Sequence, residues 1–174
     1  MHKNKNTHPM EYVYCGGRFH FDWLEDGFRE KAAADYRAAL LREVDLLLRN
    51  AGPVRLSEGL TYVGPFYFQT DGMLDRELVA AERQQIRSCT TAVFLLDGGP
   101  CPGTIAELVY AASLGKTLRV CYVRDEEETE STLASPFWYP MVLSRELHPY
   151  GVTLIPCADA AEARDQLLKF LRKL

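Results

Sequence analysis

Two glutamates stand where a carboxylate has work beyond staying wet. Glu107 belongs to residues 91–121, TAVFLLDGGPCPGTIAELVYAASLGKTLRVC, where an apolar run, a turn and a helical pattern follow one another. Thr91–Leu96 reads as a buried strand, and Asp97 to Gly103 as the glycine- and proline-rich turn that ends it. Thr104 to Leu114 then reads as a helix closed by Gly115, and Leu118–Val123 as the next strand. That order is the βαβ unit of a parallel sheet, and such sheets take ligands at the carboxyl ends of their strands, facing helix N-termini. Glu107 falls in the first turn of the helix, at that edge. A structural reading competes, because Thr104-Ile105-Ala106-Glu107 fits a capping box that would satisfy two orphan N–H groups and suit the helix dipole.

Glu82 is the second. In a helix expected from about Leu74 to Ser88, Leu74, Leu78, Glu82 and Ile86 advance slowly around one face. The carboxylate therefore lies inside the apolar stripe, which is costly unless it is paired or lines a site. An arginine from another helix would meet the first condition. Geometry separates the readings: catalytic carboxylates converge on one cleft, whereas structural ones find separate partners.

The rest of the chain must hold these groups. Its 174 residues suit one well-buried domain, expected over 11–174 behind a flexible polar tail, residues 1–10. A net charge of −4 argues against a nucleic-acid polymer as partner, while leaving room for an isolated nucleotide. No apolar run reaches the ~18 residues of a membrane span, and no signal peptide opens the sequence. Five cysteines, Cys15, Cys89, Cys101, Cys121 and Cys157, lack metal-ligand spacing and read as reduced thiols of a cytoplasmic protein. No metal and no cofactor is expected.

Glu11–Cys15 is the first strand, and Gly16-Gly17-Arg18-Phe19 follows at once, as an ordinary tight turn or as backbone that a ligand approaches closely. Phe19, Phe21 and Trp23 then offer a core lid or a base-stacking surface. Phe28 to Asn50 carries the longest helical pattern, with Tyr36, Leu40, Val44, Leu47 and Leu48 on one stripe. Residues 53–60 read as a loop and Tyr62 to Phe68 as a second strand. Ser131 to Leu143 is too irregular for a helix and too apolar for water, as a site cover or subunit contact would be. Gly151 to Pro156 is a last strand and Ala158 to Leu174 a closing amphipathic helix. The expected fold is a single-domain three-layer α/β sandwich on a mostly parallel five-stranded sheet, Rossmann- or flavodoxin-like.

With these pieces in place, residues 11–125 resemble the nucleoside 2-deoxyribosyltransferase superfamily, which includes nucleoside 5′-monophosphate N-glycosidases. The resemblance rests on Tyr14-Cys15-Gly16-Gly17-Arg18-Phe19, on Glu82 four before Ile86, and above all on Gly103-Thr104-x-x-Glu107-Leu108-x-x-Ala111-x-x-x-Gly115-Lys116. It implies Glu107 as nucleophile on C1′ of the sugar, giving a glycosyl–enzyme ester that a second base or water resolves, as in a retaining glycosidase. Glu82 would protonate the departing base. Tyr14, Gly16, Gly17, Arg18, Phe19, Cys101, Gly103 and Thr104 would contact substrate, with Arg18, the glycine amides and the helix N-terminus offered to a 5′-phosphate. The transferases usually carry an aspartate six residues before the nucleophile, where this chain has Cys101; the N-hydrolases compared have a serine there. Asp97 is the substitute carboxylate or a turn residue. The resemblance also implies a homodimer or larger assembly whose neighbouring subunit completes the site, from Ser131, Ser135 or Trp138.

Two other readings compete. A cytokinin-type phosphoribohydrolase motif is echoed from Gly98 to Glu107, with two extra residues between the glycine pair and Gly103-Thr104. A non-catalytic nucleotide sensor on the same sandwich would leave Glu107 and Glu82 to capping and packing.

Overall fold

The computed structural model describes residues 9–18, 35–42, 52–66, 75–124 and 137–174. In order they form β1 (Glu11–Gly17), α1 (Tyr36–Leu41), β2 (Val54–Arg55), β3 (Leu60–Gly64), α2 (Asp75–Ser88), β4 (Thr91–Leu96), α3 (Pro102–Ser113), β5 (Thr117–Val123), α4 (Trp138–Leu147), β6 (Val152–Cys157) and α5 (Ala160–Leu171). The strands lie side by side in the order β2-β3-β1-β4-β5-β6. The five from β3 to β6 run parallel, as expected, and β2 is a two-residue antiparallel addition at the edge. Counted alone, the parallel strands follow the 2-1-3-4-5 order of flavodoxin-like sheets, with the topological switch between β1 and β4.

Alternation along the strands sends side chains to two separate cores. Val13 and Cys15 of β1, Val93 of β4 and Cys121 of β5 face α1 and α5, where Tyr36, Leu41, Leu167 and Leu171 cover them. Tyr14 of β1, Ala92, Phe94 and Leu96 of β4, and Leu118, Val120 and Tyr122 of β5 face the other way, against Ile86 of α2, Leu108 and Ala111 of α3 and Met141 of α4. These are the three layers. They place α2 and α3 together on one face.

Some boundaries move. The helix expected from Phe28 to Asn50 is interrupted within its described part: Asp35 is extended and caps α1, and Arg42 turns left-handed (φ 64°) and ends it. A stripe of apolar residues does not register such breaks, since Asp35 and Arg42 lie off it; the remainder of that helix lies outside the described residues. The segment 53–60 contains β2, because Val54 and Arg55 pair back on Tyr62 and Thr61. The irregular segment 131–143 turns helical at Trp138, with Pro140 third in the helix, where a missing N–H has no intrahelical partner to lose. The first eight tail residues, Phe19 to Trp23 and 125–136 lie outside the described residues. All five cysteines are free and buried. Among the described residues no helix is long and apolar enough to cross a membrane.

Candidate active site

Three segments meet at the carboxyl edge of the sheet beside the switch between β1 and β4, where sheets of this kind take ligands. The end of β1 brings Gly16, Gly17 and Arg18; the turn after β4 brings Asp97 to Gly99; α3 brings Glu107. α3 starts at Pro102, two residues earlier than the sequence suggested, with Cys101 at its N-cap and no side-chain capping bond. Proline at the first position explains the early start, since its fixed φ suits a helix and its absent N–H would be an orphan anyway. Thr104 is thus third and Glu107 sixth in the helix, in its second turn. The capping box is overturned: Glu107 is too far along to reach back to the helix start.

Freed from capping, Glu107 points at the sheet. A Cβ placed on Gly16 would lie 3.3 Å from Glu107 Oε2 and would collide with the Phe94 ring. Gly16 is bare because the carboxylate and a core aromatic occupy the space beside it. Tyr14 is fully buried, and its hydroxyl lies against the Glu107 carboxylate, close enough to favour its charged form but short of a well-formed hydrogen bond.

Glu82 joins them from α2. Its charge is felt at both Glu107 and Tyr14, and among the described residues no arginine stands within ion-pair distance of it. Glu82 and Glu107 thus approach from the same face of the sheet and influence the same buried neighbour, Tyr14. Burial, then the charge of Glu82, pushes Glu107 up to about 7, while Tyr14 and Arg37 oppose the rise. Burial alone raises Glu82. Both groups are thus shifted towards their protonated forms. Among the described residues, Tyr14 and Arg37 favour the anion of Glu107, and none does so for Glu82.

The remaining predicted positions divide. Asp97 is engaged twice: Oδ1 accepts from the Gly99 amide at 3.1 Å, and Oδ2 meets Arg18 Nε at 3.1 Å and Nη2 at 3.0 Å. That is the turn-residue alternative, with an ion pair added. The Arg18 guanidinium lies across Gly99, where any Cβ would overlap it. Cys101 is buried beside the same group, and burial followed by the charge of Asp97 pushes its thiol up to about 11. Thr104 is buried, whereas Gly103 is exposed and a Cβ there would meet only open space. Gly17 backs onto the Tyr36 ring and Leu95. Phe19, Ser131 and Ser135 lie outside the described residues, and Trp138 is exposed at the start of α4.

The sequence reading missed a group behind β1. Asp35, Tyr36 and Arg37 are all buried, and Asp35 and Arg37 form an ion pair at 2.6 Å. Tyr36 was legible only as part of an apolar stripe. The available signal was Asp35 itself, an N-cap residue standing directly before Tyr36 and the apolar run.

The sequence matches no protein-family model and none of the curated proteins. Among solved structures the chain is similar to the CMP N-glycosidase BcmB of Clostridium botulinum, with 14% identity, 92% of this chain and 100% of that chain covered and a TM-score of 0.49. It is also similar to the translation elongation factor SelB of Methanococcus maripaludis, with 12% identity and a TM-score of 0.51. That match covers 95% of this chain and 34% of SelB, so the chain spans about a third of the elongation factor. At such identity the likeness to SelB is one of fold alone.

Proposed function

We propose that the protein cleaves the N-glycosidic bond of a nucleoside or nucleoside 5′-monophosphate, with Glu107 as nucleophile and Glu82 as acid. The observation that carries this reading is the Glu107 carboxylate set against Gly16 and Tyr14 at the switch point, with Glu82 as an electrostatic neighbour from α2. Tyr14 and Arg37 oppose part of the rise that burial causes. In the first step Glu107 attacks C1′, the bond from C1′ to the base nitrogen breaks, and Glu82 gives its proton to the base. A glycosyl ester of Glu107 results. In the second step a new base or water attacks C1′, its proton passes to the Glu82 carboxylate, and Glu107 leaves as carboxylate. The arrangement divides one hard displacement into two easier ones. Arg18, held flat over Gly99 by Asp97, is the cation in place for a phosphate or a polar base edge.

Whether base or water accepts the sugar is decided by the same experiment that tests the reading. Base release is followed by chromatography from a panel of nucleosides and their 5′-monophosphates, cytidine 5′-monophosphate included, each with and without a second base. Release that requires the second base makes the enzyme a transferase; release into water makes it a hydrolase. Glu107→Ala is expected to lower turnover by about 10⁴-fold or more while the protein stays folded. Turnover retained in Glu107→Ala, or no release from any substrate, sinks the reading; the second result favours a nucleotide-binding module.

A further inference from the structure

The Asp35–Arg37 pair poses a question that packing does not answer. Ion pairs this deeply buried are weak contributors to stability, because desolvation consumes most of what attraction returns. Arg37 is 1% exposed and Asp35 7%. Their partners indicate what the pair is for. Arg37 Nε donates to both Asp35 oxygens, at 2.9 and 3.0 Å, and the Arg37 amide donates to Asp35 Oδ1 at 2.8 Å. With its orientation fixed, the guanidinium has N–H groups left over: Nη1 donates to the Cys15 carbonyl at 3.4 Å and Nη2 to the Arg18 carbonyl at 3.3 Å. Between them, the Tyr36 hydroxyl donates to the Gly16 carbonyl at 2.8 Å.

These carbonyls belong to the end of β1 and to Arg18, the residue that follows it. β1 pairs with β4 as far as Gly17 but with β3 only as far as Tyr14, after an irregularity at Val13 and Tyr14. Among the described residues the strand from Cys15 onward has a ladder neighbour on one side only, and buried backbone groups without partners are costly. α1 supplies partners. The segment so held is the one Glu107 lies against at Gly16 and from which the Arg18 side chain departs towards Asp97.

We infer that the first turn of α1, Tyr36 and Arg37 with the counter-ion Asp35, is a positioning clamp that sets the end of β1 against the Glu107 carboxylate and so fixes where that carboxylate acts. The inference rests on the proposed reaction for its catalytic meaning, though the clamp itself does not. Among the described residues, the charged and titratable groups that act on or feel Glu107 are Glu82 from α2, Tyr14 from β1, Cys101 from the start of α3 and Arg37 from α1. Arg37 is the cation among them.

Three variants test it: Tyr36→Phe, which loses a single hydrogen bond; Arg37→Lys, which keeps the charge without the fork; and the double variant Asp35→Asn/Arg37→Gln, which removes both charges. Folding is checked by near-ultraviolet circular dichroism. The first readout is the carboxyl titration of Glu107 by carbon-13 NMR, with amide exchange at residues 15–18. Exchange at those amides is expected to quicken in all three variants. The Glu107 midpoint is expected to stay put in Tyr36→Phe and Arg37→Lys and to rise in the double variant. On the substrate that the panel ranks first, kcat is expected to fall several-fold in Tyr36→Phe and by about tenfold to 100-fold in Arg37→Lys, with KM little changed. Unchanged exchange and kcat in folded Tyr36→Phe overturn the clamp, even where the arginine variants fail to fold. Should the wild type release no base at all, the reaction is lost while titration and exchange still decide the clamp.

Discussion

At the scale of single residues, the site is defined as much by what is missing as by what is there. Gly16 has no side chain because the Phe94 ring and the Glu107 carboxylate fill its place. Gly16→Ala is therefore expected to destabilise the fold by about 1–3 kcal/mol, the usual cost of overpacking, and to displace Glu107. Thermal unfolding and base-release assays check the two effects, and an alanine tolerated in both would show that Phe94 and Glu107 move aside freely. The sequence made both glutamates conspicuous, for reasons of unequal worth. Glu82 stood out through its place in an apolar stripe, and the structure keeps it there, raised by burial. Glu107 stood out through its position near a helix start, but the start was misplaced by two residues. A rival explanation by capping depended on that error. What no pattern could disclose is that their helices lie on one face, since that follows only once the strand order is known.

At the scale of elements, strong periodicity was legible and its interruptions were not. The strands β1, β4, β5 and β6 and the helices α2, α3 and α5 follow from alternation, apolar stripes and turn residues. α1 was obscured because a stripe continues on paper through Arg42, where the backbone turns left-handed at φ 64°. A non-glycine residue there carries a steric penalty of about 1–2 kcal/mol, which glycine avoids at some cost in chain entropy. Arg42→Gly is accordingly expected to raise stability by roughly 0.5–1 kcal/mol, read as a higher midpoint in urea with unchanged slope. A lower midpoint would mean that the exposed Arg42 side chain contributes more than its backbone costs. β2 escaped notice for a different reason: two residues are too few to show any period.

Across the whole molecule, a raised carboxyl group links the reaction to stability. Glu107 titrates at about 7 in the fold against 4.5 in a free chain. Its protonated form is thus favoured by folding. The stability it contributes is complete below pH 4.5 and is lost as pH rises through 7. Glu107→Gln, which cannot ionise, is expected to be more stable than wild type at pH 8, by up to about 3 kcal/mol, and no more stable at pH 4. Melting curves at the two pH values decide it, and equal melting at pH 8 would mean that the Glu107 anion costs the fold nothing. The buried thiols add a different consequence. Cys15, Cys121 and Cys157 lie in one core and Cys89 and Cys101 in the other. Burial pushes all of them up, Cys89 and Cys101 to about 11 and Cys121 to about 12, so the reactive thiolate is scarce at neutral pH as well as covered. The chain thus carries its own clock for breathing. In a brief iodoacetamide pulse, mass spectra should show molecules bearing no label or five, because both cores share the same strands. A population bearing two would mean that the face holding the glutamates opens on a schedule of its own, and one bearing three that the opposite core does.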